Sequence, residues 1–300
     1  MNYLEEITEG KIPHKLNAII YGSHWSGKTT LACDFPNPIM IDIERGSKNI
    51  NVKRIPYEKL NTFSDVMGIL NQLNTEKHKY ETVIIDTLDG LELWANAEAC
   101  QENGWKSVGE AGFGKGYDAA YAKFIQFFNL ISKLNEKMHV VLVCHSQVKA
   151  INDPTKNQEY HKHGLKLRDK TESFAKEQAG LILFCTQEVN LKENQNKKAK
   201  AYGDGTLVMF TQGRPSHEGK NRYNLPYKLP VSYEALKEAI DIGQTDDPKN
   251  IKERITESLQ DIKDPELKKK VLDATKKAND DSVALSKILN KLNVILSTAA

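Results

Sequence analysis

Residues 22–29 carry the chain's densest chemistry. Gly22, Ser23, His24, Trp25, Ser26, Gly27, Lys28 and Thr29, with Thr30 behind them, match the spacing G-x-x-x-x-G-K-[ST]. The glycines let the backbone close around a phosphate chain, and successive N–H groups at a helix start present positive potential to it. In that arrangement Lys28 reaches the β- and γ-phosphates of a nucleotide, and the Thr29 hydroxyl holds Mg²⁺.

Two carboxylates stand where such chemistry needs them. Asp86 ends the apolar run Val83-Ile84-Ile85, the position from which an acid holds Mg²⁺; it could instead cap the helix that follows. Glu44 lies just past Ile41-Asp42-Ile43, and strand ends on the phosphate-loop side converge on one crevice. A carboxylate there can orient water. Asp42 competes for that role, one step deeper on the same face.

The elements that must position these groups follow from apolar periodicity. Short runs rich in β-branched residues at Ala18–Tyr21, Ile39–Ile43, Thr82–Asp86, Val140–Cys144 and Leu181–Phe184 predict buried strands. Helices are expected at Thr29–Cys33, at Thr62–Asn74, where Phe63, Val66, Leu70 and Leu73 share a face, and at Tyr117–Leu134. Continuously apolar strands alternating with helices indicate an α/β fold with a mostly parallel sheet covered on both faces. From Gln147 to Thr171 the apolar pattern stops, and the stretch reads as a long loop that is mobile, functional or both. Val189–Leu191 and Thr206–Phe210 read as a hairpin, and Val231–Ile240 as the last helix of the core.

After Gly243 the pattern changes. Asp247-Pro248 and Asp264-Pro265 each place an acid before a proline, and Asp280 or Asp281 opens a third apolar-periodic segment. The division expected is a core at 1–243 and a three-helix module at 244–300, near the lower size limit for independent stability.

Composition bounds the rest. With 39% apolar and 27% charged residues the chain can bury a core. Lys plus Arg is 42 against 40 Asp plus Glu, which excludes a polybasic protein but not a local basic surface. Four scattered cysteines without a CxxC pair exclude a disulfide scaffold or structural zinc site and fit a reducing cytoplasm. The acidic N-terminal segment has no signal-peptide core, and no apolar run has the length of a membrane helix.

The phosphate loop ending Ser-Gly-Lys-Thr-Thr, the Glu after the next strand and the strand ending Asp86-Thr87 together resemble the RecA/RadA class of P-loop ATPases. More narrowly, the chain is similar to phage-encoded, RecA-like AAA-type proteins that include single-strand annealing ATPases. Gly112–Tyr117, His145-Ser146-Gln147, Ala179–Leu183 and Gly219–Pro226 add to the resemblance, which spans about residues 12–242. It implies ATP and Mg²⁺ as ligands, Glu44 as the group activating water, and His145 and Gln147 as a polar sensor, where the class usually has an Asn-Gln pair. It further implies that Lys220 and Arg222 reach a neighbouring subunit's nucleotide in a homo-oligomeric ring or filament.

In such an assembly two loops face the interior. One holds Lys106 and Lys115 with Phe113; the other holds Lys149, Lys156, Lys162, Lys166, Arg168 and Lys170 with Tyr160. Cations mixed with aromatics suit single-stranded DNA. The expectation is therefore a DNA-stimulated ATPase of phage recombination or strand annealing, in the host cytoplasm if phage-encoded, with the C-terminal helices free to bind a single-strand-binding protein. An ATP-stabilised DNA-coating module, a helicase or helicase loader, and a small-molecule phosphotransferase are the alternatives.

Overall fold

The computed structural model describes residues 15–152, 158–193, 199–244, 248–260, 262 and 264–299. The chain runs β1 (Asn17–Gly22), α1 (Lys28–Cys33), β2 (Pro38–Asp42), β3 (Lys53–Arg54), α2 (Phe63–Thr75), β4 (Thr82–Asp86), α3 (Leu88–Asn103) and α4 (Lys115–Asn135). It continues through β5 (His139–Ile151), β6 (Tyr160–Leu165), α5 (Asp169–Gln178), β7 (Leu181–Gln187), β8 (Asn190–Glu193), β9 (Ala199–Tyr202), β10 (Leu207–Phe210), β11 (Lys220–Asn221) and β12 (Lys228–Pro230). Four helices follow: α6 (Tyr233–Gln244), α7 (Pro248–Ser258), α8 (Pro265–Ala278) and α9 (Ser282–Ala299).

The main sheet has the order β12-β10-β7-β1-β5-β4-β2-β3, parallel from β7 to β3 and antiparallel at β10 and β12. This is the mostly parallel α/β architecture expected of a RecA-like core. Its strands are apolar because both faces are covered. Along β1, Ile19 and Tyr21 enter the layer containing Phe124, Phe127 and Phe128 of α4, while Ala18 and Ile20 enter the layer containing Leu31 of α1 and Leu236 of α6. Helix α2 starts on a capping box, Thr62 with Asp65, and buries Phe63, Val66, Leu70 and Leu73 as the periodicity predicts.

After β1 the chain crosses to the β2 side of the sheet, and after β5 it crosses to the β7 side. The carboxyl end of β1 is therefore a topological switch point, where a crevice opens between diverging connections.

Two stretches differ from expectation. The polar segment after Gln147 is not a loop: β5 runs on to Ile151 and pairs antiparallel with β6, Ser146 opposite Leu165 and Ile151 opposite Tyr160. Of Ser146–Ile151 and Tyr160–Leu165 only Gly164 and Leu165 are buried, too few for a period to show the pairing. Likewise, Leu207–Phe210 does not close a hairpin on residues 189–191. As β10 it pairs with β7 and β12, while β8 pairs with β9.

The last helices gather Ile251, Ile255, Leu259, Ile262, Leu285, Leu289 and Leu292 into a cluster of their own. Asp264 accepts from the Glu266 N–H to cap α8, with Pro265 in its first turn. Asn290 of α9 donates to the Asn224 carbonyl of the core at 3.2 Å. No helix among the described residues is long and apolar enough to cross a membrane.

Candidate active site

The loop leaving β1 is shaped by two glycines. A Cβ on Gly22 would stand 2.0 Å from the Cys185 carbonyl oxygen of β7, so only glycine fits between the strands. Gly27 takes φ +79, a left-handed conformation that side chains disfavour, immediately before α1. Ser26 Oγ and Lys28 Nζ both donate to the Ser23 carbonyl, at 2.8 and 2.6 Å. Lys28 is 8% exposed, and burial lowers its pKa. Thr29 and Thr30 lie in the first turn of α1, which has no acidic residue there. Trp25, also left-handed, projects outward and is 90% exposed, while the His24 ring lies 4.7 Å from that of His145.

Thr29 Oγ1 donates to Asp86 Oδ2 at 2.8 Å, joining α1 to the end of β4. Burial pushes the Asp86 carboxyl up to about 6, against the Thr29 hydrogen bond that favours its ionised form. The chain then passes through a cis Asp86–Thr87 peptide into α3. The helix cap that the sequence left open for Asp86 is supplied by Thr87 instead, whose Oγ1 accepts from the Gly90 N–H at 3.1 Å. A hydroxyl and a carboxylate oxygen beside an anion-cradling loop are the donor set that suits Mg²⁺ with a nucleotide phosphate; Thr29 and Asp86 would hold the ion, and Lys28 and the loop amides the phosphates.

Glu44 and Asp42 separate clearly. Asp42 is 1% exposed, and its carboxylate accepts from the Gly46 and Ser47 N–H groups, the Ser47 hydroxyl and the Tyr57 hydroxyl. Those bonds outweigh burial and hold its pKa below the ordinary value. It anchors a turn and is shielded from water. Glu44 is exposed, tethered through Oε1 to the Thr87 hydroxyl at 3.0 Å, with His145 Nδ1 3.4 Å from the same oxygen.

His145 ends the sheet portion of β5, opposite Gly22. Its nearer partner is Asp89 of α3, which sequence reasoning missed. Asp89 Oδ2 stands 3.0 Å from His145 Nδ1, and Asp89 Oδ1 accepts from the His145 backbone N–H at 3.0 Å. Burial raises the Asp89 pKa, but the His145 bonds outweigh it and hold the carboxyl down at about 2. The only signal in the sequence is its place three residues after Asp86, and that is silent without the pairing of β4 with β5. Gln147, the other half of the expected sensor, is turned away: its Nε2 donates to the Leu165 and Leu167 carbonyls, at 2.8 and 2.9 Å.

The remaining cations are placed as follows. Lys220 Nζ donates to the Lys176 and Glu177 carbonyls at the end of α5, so its charge completes that helix terminus. Arg222 is exposed, and its N–H donates to the Gly180 carbonyl. Asn221, between them, is level with Leu181 and thus with Ala18, four residues (about 13 Å) before Gly22. Neither reaches its own chain's phosphate loop.

Four of the eight cations expected to face DNA are ion-paired within the chain. Lys149 meets Asp169 and Glu172, Lys162 meets Glu218, Lys166 meets Asp89 and Lys170 meets Asp118. Arg168 lies 3.4 Å over the Tyr117 ring. Lys106 and Lys115 are exposed beside the fully exposed Phe113. Lys156 is outside the described residues. Gln147, Lys149, Lys166, Arg168 and Lys170 line a cleft of about 960 Å³.

A family model described as an AAA domain matches residues 14–223. A search of curated proteins gave no match. Among solved structures, the crystal structure of flagellar accessory protein FlaH from Methanocaldococcus jannaschii matches at 14% identity. The match covers 70% of this chain and 90% of that one with a TM-score of 0.32, too slight a likeness to bear on function.

Proposed function

The chain belongs to the AAA domain family of P-loop ATPases, and from that premise we propose that it hydrolyses Mg·ATP with Glu44 as the group that takes a proton from the attacking water. The observation that carries this is the meeting of Thr29 and Asp86 at the mouth of the Gly22–Thr29 loop, with Glu44 tied in by Thr87 from the next strand.

Each residue has a defined task. Lys28 exchanges its bond to the Ser23 carbonyl for the β- and γ-phosphate oxygens, which a buried ammonium favours strongly. A bound magnesium ion supplies further neutralisation of the charge on those oxygens. Glu44 accepts the proton as water adds to the γ-phosphorus and the bond to the ADP oxygen breaks. Arg222, rather than Lys220, is the cation left to serve a neighbouring subunit, and an arginine supplied in trans can accelerate such a step by about 10³–10⁵.

The finer reading is that hydrolysis is coupled to assembly on single-stranded DNA, in recombination or annealing. Lys106, Phe113 and Lys115 support it: a fully exposed aromatic between cations suits base stacking and backbone tracking. The test is ATP turnover with and without single-stranded DNA, read beside particle size with a non-hydrolysable ATP analogue. Stimulated turnover and growth of the particle are expected. No turnover in any condition overturns the ATPase reading; turnover indifferent to DNA by a monomer overturns the finer one.

A further inference from the structure

Hydrolysis asks Glu44 to present a free carboxylate oxygen at a fixed place, yet its segment lies past the end of β2 and is exposed. Both of its side-chain contacts fall on Oε1: the Thr87 hydroxyl at 3.0 Å and His145 Nδ1 at 3.4 Å. The position of His145 therefore bears on the position of the base. His145 in turn is gripped twice by one carboxylate, through its backbone N–H and through Nδ1, each at 3.0 Å from Asp89.

We propose that Asp89 is a positioning residue for hydrolysis: it fixes the His145 ring with Nδ1–H directed at the Asp89–Glu44 pair, and so holds Glu44 by one oxygen while leaving the other for water. This rests on the ATPase reading above. Asp89 is 7% exposed and fixed on the first turn of α3, so it is a rigid reference point. A histidine's tautomer is set by the partner of one ring nitrogen, and Asp89 is the nearer of the two acceptors, 3.0 Å against 3.4 Å. On the phosphate-loop side the His24 ring lies 4.7 Å from that of His145.

The charges around His145 come from every side. Asp89 faces it from α3, Glu44 from the segment after β2, Lys28 from α1, and Lys166, 3.6 Å from Asp89, from the segment after β6. The Asp89 hydrogen bond is the largest influence, and it raises the His145 pKa. Replacing Asp89 by an isosteric amide removes that charge while keeping the shape.

The test uses Asp89→Asn, Asp89→Glu, His145→Gln and the Asn/Gln double variant in the full chain. For Asp89→Asn, kcat should fall about 10- to 100-fold with KM for ATP within about twofold, as expected for loss of a general-base geometry rather than of binding. Asp89→Glu should recover part of the loss. The double variant should be no worse than His145→Gln alone, because the two act as one unit. Nitrogen-15 histidine spectra, with His145 assigned through His145→Gln, should show Nδ1 protonated and a titration midpoint that is lower in Asp89→Asn than in the wild type. Wild-type kcat in Asp89→Asn, additive losses in the double variant, or an unmoved His145 titration would each overturn the proposal. A wild-type protein without ATP turnover would sink the ATPase reading instead, while the spectra still decide whether Asp89 governs His145.

Discussion

The amine of Lys28 lies 2.6 Å from the carbonyl oxygen of Ser23, inside the loop to which both belong. The cation is thus parked on its own backbone, under burial that lowers its pKa. Lys28→Ala should lower turnover by about 100-fold or more, the scale of losing one preorganised charge contact in a reacting site. Thermal stability should hold or rise, because a buried charge is removed while the Ser23 carbonyl keeps its bond from Ser26 Oγ. Calorimetric ATP titration beside a melting curve checks both; unimpaired hydrolysis would contradict the phosphate-loop assignment.

Asp86 sets a pH dependence with a definite sign. Its carboxyl titrates near 6 in the folded chain, above its ordinary value of 3.8, because burial disfavours the charge. Between about pH 4 and 6 the folded state holds more protons than the unfolded one, so the ligand-free protein loses stability as pH rises through that window. A cation bound by the ionised carboxylate reverses the penalty. The rise in melting temperature on adding Mg²⁺ with ADP should be large at pH 8 and small at pH 5, and Asp86→Asn should flatten the difference.

Lys220 and Arg222 should part company on mutation. Lys220→Ala uncovers two carbonyls at the end of α5 and should cost about 0.5–1 kcal/mol, visible as a melting temperature lower by a few degrees. Arg222→Ala should leave the melting curve in place and reduce turnover only in assembled protein. A strictly monomeric preparation whose turnover fell as much with Arg222→Ala would remove the trans role.

Single-stranded DNA affinity should depend most on the cations without an acidic partner among the described residues. Each lysine neutralising a phosphate contributes about 0.7 to the slope of log affinity against log salt. Charge reversal of Lys106 and Lys115 should flatten that slope. Reversal of Lys162, held by Glu218 at 3.2 Å, should disturb the chain's own ion pairs more than it weakens binding. Fluorescence anisotropy across a salt series separates the two outcomes.

The sequence made the phosphate loop plain because its residues are contiguous and their spacing encodes a backbone shape. Asp86 was visible for a related reason, since a strand of five buried residues announces its own end. Asp89 was not, because its meaning arises only where β4 and β5 lie side by side and bring α3 against His145. Lys220 looked like half of a reaching pair; its tie to α5 joins residues 44 apart in the chain. Asp42 and Glu44 share a strand face and cannot be ranked by alternation. What ranks them is the turn at Gly46–Ser47, which folds back to saturate one of them.

Strand β5 has thirteen residues, so it forms a continuous rod of about 43 Å. Up to Val143 it lies between β1 and β4, and β1 stays beside it to His145; from Ser146 on, its ladder partner is β6. His145 therefore sits at the changeover, where the strand leaves the parallel sheet for a hairpin that Lys149 ties to α5 and His163 ties to Ser216 and Glu218. Gln147 and Lys149, which line the cleft, and His145, which meets Asp89 and Glu44, therefore share one unbroken backbone.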